Sequence, residues 1–305
     1  HIEYYDKIIL DILVKLRKNI RNGLEIPVQI IDINHLIAEK RLIKDATEIS
    51  LLQKAADISI DAYISVMQSI KNIDYEYQVE AKFLECFVKN GARSPAYSPI
   101  IASGANACIL HYSNNNVAFT KNGLILIDAG AEYMGYAADI TRTFPVNGSF
   151  SKEQREIYEI VLAANKEAIA SVKPNVPFTT TYDVCLKILV QGLIDLKLLT
   201  GDVDSNIESR AYKQFFMHGV SHHLGLDVHD VGAIKLDGVS RNLEAGMCIT
   251  VEPGLYFAPS SNIPEKYWNL AIRIEDDILI TPNGNHNLTA KLTKEITEIE
   301  AIINN

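Results

Sequence analysis

The chain has 305 residues, 48% hydrophobic and 22% charged, with 29 basic and 38 acidic side chains and a net charge of −9. That composition suits a globular chain with a sizeable core, and the acidic balance without a basic block points away from nucleic acid as a partner. No apolar run reaches membrane-span length, so no membrane partner is expected. Cys86, Cys108, Cys185 and Cys248 lie far apart with no C-x-x-C pair, which reads as reduced thiols in a cytoplasmic protein. The first residue is His1 and a helical pattern begins almost at once, so the natural start is expected to have been removed; any leader would have gone with it.

In chain order, Ile8, Ile9, Ile12, Leu13 and Leu16 at helical spacing predict an amphipathic helix over Tyr4 to Arg21, closed by Gly23 and Pro27. Val28 to Ile33 reads as a short extended piece, and residues 34 to 45 as a connector. A long helix follows from Ala46 to Ile70, with Thr47 as N-cap and Ile49, Leu52, Ala56, Ile60, Tyr63 and Met67 along one stripe. The main domain is therefore placed at 46–305, and 1–45 as a helix and connector ahead of it. A second helix over Tyr75 to Asn90 ends at Gly91. Residues 96 to 112 read as two strands joined at Ser103–Gly104, with His111 at the end of the second. Leu124 to Ile127 is an apolar strand delivering Asp128, and Ala137 to Phe144 returns as a strand carrying Asp139. Ser151 and Gln154 form a capping-box signature for a helix to about Val172. Another helix spans Thr181 to Leu196. Met247 to Val251 delivers Glu252, and Ala271 to Ile280 is a strand with Arg273 and Glu275 on one face. The tail from Ala290 to Ile303 is a short helix.

Two features carry chemistry. The first is FFMHGVSHHLGLDVHDVG, Phe215 to Gly232, which holds His218, His222, His223 and His229, half of the eight histidines in the chain. Imidazole is the commonest metal ligand and the usual acid–base group near neutral pH. The second is four acids, Asp128, Asp139, Glu252 and Glu275, each in or at the tip of an apolar strand-like run. A buried carboxylate is costly unless it is paired or binds a metal. Any one of them reads equally well as a salt-bridged core acid; four beside a His-rich loop point to a cation site. Oxygen ligands with imidazole suit Mn, Co, Zn or Fe(II), and four carboxylates can hold two such ions, the arrangement used in two-metal hydrolysis.

The blocks DAGAEYMGYAADITRTFP (Asp128–Pro145), HGVSHHLGLDVHDVG (His218–Gly232), VEPGLYF (Val251–Phe257) and AIRIED (Ala271–Asp276) resemble the signatures of the pita-bread metallopeptidases, and with GARSPAYSPIIASGANACILHY (Gly91–Tyr112) they are most similar to the aminopeptidase P branch. The resemblance spans roughly residues 40 to 300. It implies an α+β pita-bread fold of two pseudo-symmetric halves around a curved, mostly antiparallel sheet. It implies two metal ions, Mn foremost with Zn, Co or Fe as alternatives, bound by Asp128, Asp139, His222, Glu252 and Glu275. It also implies release of the residue preceding an N-terminal-side proline by a metal-bridging hydroxide, with Glu252 shuttling a proton, His111 and His229 on the oxyanion, and His218 shaping the proline side. Tyr256 and Arg273 match positions close to the cleft, where core packing and a supporting salt bridge are equally good readings. Asp227 and Asp230 orient neighbouring histidines, and His223 is non-essential. The resembled enzymes carry a separate N-terminal domain, of which only residues 1–45 correspond here, and the full-length form is expected to be a homo-oligomer. The rival readings are a prolidase acting on Xaa-Pro dipeptides, a non-catalytic peptide-binding pita-bread module and, disfavoured by the Gly91–Tyr112 block, a methionine aminopeptidase.

Overall fold

The structure is a computed structural model that describes residues 2–23, 25–27 and 29–305. Two compact units divide at Ile37 and Ala38. The first holds the helix Ile2–Arg17 and a 3₁₀ turn, Ile20–Asn22, closed by Gly23 at φ 81°. Val28 lies outside the described residues, and residues 29–33 have no regular structure. A short helix, Asn34–Leu42, occupies most of the expected connector. Its sequence, NHLIAEKRL, is rich in good helix formers but too weakly amphipathic to show a periodic stripe.

The second unit, Ala38–Asn305, is built from two halves of like construction. In the first, the antiparallel strands Ile100–Ser103, Leu124–Asp128 and Thr141–Pro145 lie side by side, packed by helices Ala46–Ser69 and Glu76–Lys89. In the second, Gly284–Asn287, Asp276–Thr281 and Cys248–Val251 form the sheet, packed by Lys152–Ser171 and Thr180–Asp195. A single antiparallel bridge, Thr141 to Glu275, joins the two, and the hairpin Gly254–Phe257 with Leu270–Arg273 lies alongside. One buried side chain on the leading helix of each half repeats a device. Tyr63 donates its hydroxyl to the carbonyls of Ile127 and Ile140, at 3.0 and 2.6 Å. Asn165 donates its amide to the carbonyls of Val251 and Ile274, at 3.1 and 3.3 Å. These four carbonyls flank Asp128, Asp139, Glu252 and Glu275, so each half uses a polar side chain to hold the backbone of one acidic pair while keeping those buried carbonyls satisfied.

Local structure departs from the sequence expectations at definable places. The long helix is capped by Asp45, not Thr47: the Asp45 carboxylate accepts from the amides of Thr47 and Glu48, and Glu48 returns the bond. Asp45 wins because a capping box needs an acid three residues on, and Glu48 supplies it. Residues 104–108 form a 3₁₀ turn rather than a strand, so His111 is presented from a loop. The run over 137–144 is broken into Tyr136–Ala137 and Thr141–Pro145. The break is forced by close approach to Gly130, where a Cβ would lie 1.7 Å from the carbonyl oxygen of Ala138; only glycine fits there. The run over 271–280 breaks likewise into Leu270–Arg273 and Asp276–Thr281, because Glu275 pairs with Thr141 of the other half instead of continuing its own ladder. The final helix is Ile296–Asn304.

Candidate metal centre

At the junction of the halves lies a cavity of about 430 Å³. Its wall contains Asp128, Asp139, Glu252, Glu275, His111, His218, His222, His229 and Arg273, so nine of the side chains singled out in the sequence converge there. Tyr256 stands one contact behind them, its hydroxyl 2.9 Å from His218 Nε2. His223 faces the other way, buried and tilted against Phe178 at 5.1 Å between ring centroids. The bridge from His223 to Ile249 makes this stretch locally extended, and successive side chains of an extended segment leave on opposite faces. Hence His222 meets the acids and His223 does not.

One ligand atom each of Asp139, His222 and Glu275 falls within 4.8 Å of the others. His222 Nε2 lies 3.3 Å from Asp139 Oδ2 and 3.5 Å from Glu252 Oε1. Its other nitrogen, Nδ1, lies 3.0 Å from the carbonyl of His223. A carbonyl only accepts, so Nδ1 carries the proton and Nε2 is presented to the cavity, the tautomer a metal-binding histidine needs. On the opposite wall Arg273 donates to Asp128 at 2.6 Å, to the Tyr256 hydroxyl at 2.9 Å and to Thr141 Oγ1 at 3.2 Å. Thr141 in turn donates to Glu275 Oε2 at 2.5 Å. For Arg273 the structure therefore shows a buried salt bridge at the cavity edge, and for Tyr256 a hydrogen-bonding role rather than bare packing. Burial, with Arg273 nearby, drops the His218 pKa to about 3. The ring is neutral; Nδ1 donates to the Gly219 carbonyl at 2.6 Å, which leaves Nε2 to accept from Tyr256.

Among the residues that touch these acids and were not singled out in the sequence are Tyr97 and Asp277. The Tyr97 hydroxyl sits 2.6 Å from an oxygen of both Asp128 and Asp139. Asp277, 1% exposed, accepts from the backbone amide of Asp139 at 3.1 Å. The signal for Tyr97 lay in the SPAYSP stretch, which places an aromatic hydroxyl just ahead of a strand paired with Leu124–Asp128. Nothing in the sequence distinguishes Asp277 from an ordinary strand acid.

The electrostatics fit a cation-binding group. Desolvation, reinforced by the Asp139 charge, raises Glu275 well above the usual carboxylate range and Glu252 to about 7. Desolvation also raises Asp128, against the pull of Arg273. His222 rises to about 9, because Asp139 and Glu252 outweigh its burial. Crowded, desolvated carboxylates around the outward-facing Nε2 of His222 form a donor set that divalent cations satisfy by displacing the proton that nitrogen holds in their absence.

These shifts fix the pH dependence of the chain stripped of metal. Glu252 binds an extra proton on folding between its ordinary value of 4.5 and about 7, so its contribution falls as pH rises through that window. His222 contributes fully below 6.5 and loses that contribution as pH rises to about 9. Below 6.5 the depressed His218, His223 and His229 act in the opposite sense, so the stripped chain is expected to melt at steadily lower temperature as pH rises from about 6.5 to about 9. Saturating divalent cation should abolish the trend, because ligands bind metal deprotonated. Thermal melts with and without chelator check this; a melting temperature that rises over that range in the stripped protein would contradict it.

The fold and this centre define a metallopeptidase. The sequence profile of metallopeptidase family M24 matches residues 50–282, and the chain belongs to that family. It is 47% identical over 300 residues to the Xaa-Pro aminopeptidase of Escherichia coli K12, covering 98% of this chain and 68% of the relative. It is 49% identical over 276 residues to that of Haemophilus influenzae, covering 90% and 64%. Among solved structures, Pseudomonas aeruginosa aminopeptidase PepP superposes with a TM-score of 0.94 at 42% identity, covering 99% of this chain and 69% of that one. E. coli aminopeptidase P with the inhibitor Pro-Leu superposes with a TM-score of 0.93 at 47% identity, covering 98% and 68%. The chain thus spans about two thirds of the length of these relatives. The fold is the pita-bread fold, and the chain is a metal-dependent aminopeptidase of the Xaa-Pro branch. Among the described residues, no helix is long and apolar enough to cross a membrane.

Proposed function

We propose that this chain releases the N-terminal residue from peptides with proline in second position. It would use two divalent cations, Mn foremost, held by Asp128, Asp139, His222, Glu252 and Glu275. The observation that carries the proposal is that four carboxylates, two of them within 3.5 Å of the outward-facing Nε2 of His222, line one cavity with further histidines around it. When bound, such cations supply Lewis-acid activation of water and positive charge where the amide oxygen becomes anionic. The remaining work falls to the side chains. Glu252, on the cavity wall 3.5 Å from His222 Nε2, is placed to take up a proton from water and return it to the departing proline nitrogen. His229, pushed down by burial, is neutral and keeps one N–H to donate; with His111 it supports the oxygen of the scissile carbonyl. His218, its Nε2 engaged by Tyr256, offers the cavity ring carbon rather than a donor. That suits the proline side, where a tertiary amide presents no N–H. Residues 46–305 would be the catalytic domain and 1–45 the remnant of a preceding one, in a cytoplasmic protein that is a homo-oligomer at full length.

The test is hydrolysis of a matched Xaa-Pro dipeptide and Xaa-Pro-Xaa tripeptide with Mn added. Cleavage of the tripeptide at the first bond is expected. Cleavage of the dipeptide alone would make the chain a prolidase, and metal uptake with neither cleaved would overturn the proposed activity.

A further inference from the structure

The segment that precedes the long helix of the second unit reaches across to the His-rich loop. The backbone of residues 222–224 is stitched to the sheet: Thr250 N donates to His222 O at 3.0 Å and Leu224 N to Cys248 O at 3.0 Å. Beyond Gly225 the loop leaves the sheet, turns through Asp227 and returns where Asp230 N donates to His223 O at 2.8 Å. His229 rides on this excursion. Its ring meets the site by packing edge-on against His222, at 4.3 Å between centroids. The two acids that bracket it both end on Arg41: Asp227 at 2.7 Å, with Asp230 as the second partner of the same nitrogen. Asp230 also takes Lys44 Nζ at 3.2 Å, and the side chains of Asp230 and Lys44 are each only 1% exposed. Lys44 is itself pinned, its amide donating to the Gly246 carbonyl at 2.9 Å.

We infer that Arg41 and Lys44 are positioning residues for His229, clamping the loop 225–231 through Asp227 and Asp230 so that the imidazole is held over the metal centre. A buried ion pair with both partners present is rigid, because breaking it leaves a charge without a counter-charge. Misplacement of a reacting group by about 1 Å can cost two orders of magnitude in rate. The clamp thus acts on turnover, whereas the metal ligand His222, tied to the sheet, stays in place without it. The inference rests on the hydrolase reading for its catalytic arm but not for its structural one.

The test is Arg41→Met in the full chain, read three ways. Amide hydrogen exchange should quicken at Gly225 and Asp230 while the helix Ala46–Ser69 is unchanged. Metal stoichiometry should hold. The kcat on the tripeptide should fall roughly tenfold with KM moving less than about threefold, and Arg41→Met should cost less than about twofold further in a His229→Ala background. Arg41→Lys, which keeps the charge on a shorter side chain, should lie between. Should Arg41→Met fail to fold, Asp227→Asn removes the exposed arm alone and should show the same pattern at smaller size. Unchanged exchange in the loop overturns the clamp. Faster exchange with unchanged kcat, or a loss fully additive with His229→Ala, reduces the network to a structural tie and overturns its role in positioning. A parent inactive on both peptides overturns the proposed function instead, and the exchange arm still decides the clamp.

Discussion

Asp139→Asn is expected to abolish tripeptide hydrolysis, by at least about 10³-fold, more than the 10–100-fold typical of removing a hydrogen-bond partner of a metal ligand. Asp139 is the hub of the cavity: one oxygen lies 2.6 Å from the Tyr97 hydroxyl, the other 3.3 Å from His222 Nε2, and it belongs to the trio within 4.8 Å that can share one ion. Asparagine keeps the volume but removes the charge, and its amide puts hydrogens toward atoms that should face a cation. The fold should survive. Next to desolvation, the Asp139 charge is the largest cause raising Glu275, so neutralising it relieves repulsion in the stripped protein. Loss of the His222–Asp139 pair opposes that relief, so the stripped variant is expected to melt close to the stripped parent at pH 7, while added divalent cation stabilises the parent and not the variant. Metal stoichiometry, melts with and without chelator, and tripeptide turnover give three independent readings. A variant that keeps two equivalents of metal and near-parent turnover would remove Asp139 from the centre.

Why the sequence betrayed this residue and not Tyr97 or Asp277 follows from what each depends on. An acid at the tip of an apolar strand is anomalous in one dimension, since the cost of burying it is local. Asp128, Asp139, Glu252 and Glu275 all stood out that way. The role of Tyr97 depends on which oxygens its hydroxyl meets 31 and 42 residues away, and that of Thr141 on a bridge to a residue 134 away. Such distances are set by strand register between halves, which periodicity does not report. The choice of His222 over its neighbour likewise came from resemblance; its physical basis is the pairing of His223 with Ile249, a fact of the sheet. The broken strands at Asp139 and Glu275 escaped notice for a related reason. Alternating patterns predict continuous ladders, whereas here the chain leaves its ladder so that acids from both halves meet. Helices fared better because their caps and stripes are local, and the capping box at Ser151 and Gln154 stands as the sequence predicts.

Arg142→Met should be the most destabilising single change in the second unit that leaves every cavity-lining side chain in place. Arg142 has a side chain 0% exposed and paired with Asp276, also 0% exposed, at 2.7 Å. Its guanidinium also donates to the carbonyls of Glu275 at 2.5 Å, Thr141 at 3.0 Å and Leu292 at 2.9 Å. It therefore spans the bridge where the two halves meet, directly behind Thr141 and Glu275. Losing one partner of a buried pair costs about 3–5 kcal/mol, and the carbonyls of Glu275, Leu292 and Thr293 each lose a donor as well, while that of Thr141 keeps the Glu275 amide. For a unit of this size that corresponds to a fall in melting temperature of about 10 °C. Burial alone would raise Asp276, but Arg142 and then Lys294 overturn it and hold the carboxyl well below its ordinary value of 3.8. A depressed carboxylate stabilises the fold above its unfolded pKa and is lost as pH falls through the folded one. Without Arg142 that loss should begin at higher pH, so acid unfolding of the variant should shift toward neutrality. Lys294, 2.6 Å from Asp276 and partly exposed, keeps some of the stabilisation and sets the limit of the shift. Arg142→Met/Asp276→Leu takes the carboxylate from Lys294 as well, but that ammonium is partly exposed, so the double variant should be less destabilised than Arg142→Met alone. A single variant melting within about 2 °C of the parent, or a double variant worse than the single, would mean that the halves are held together by the apolar core and not by this pair.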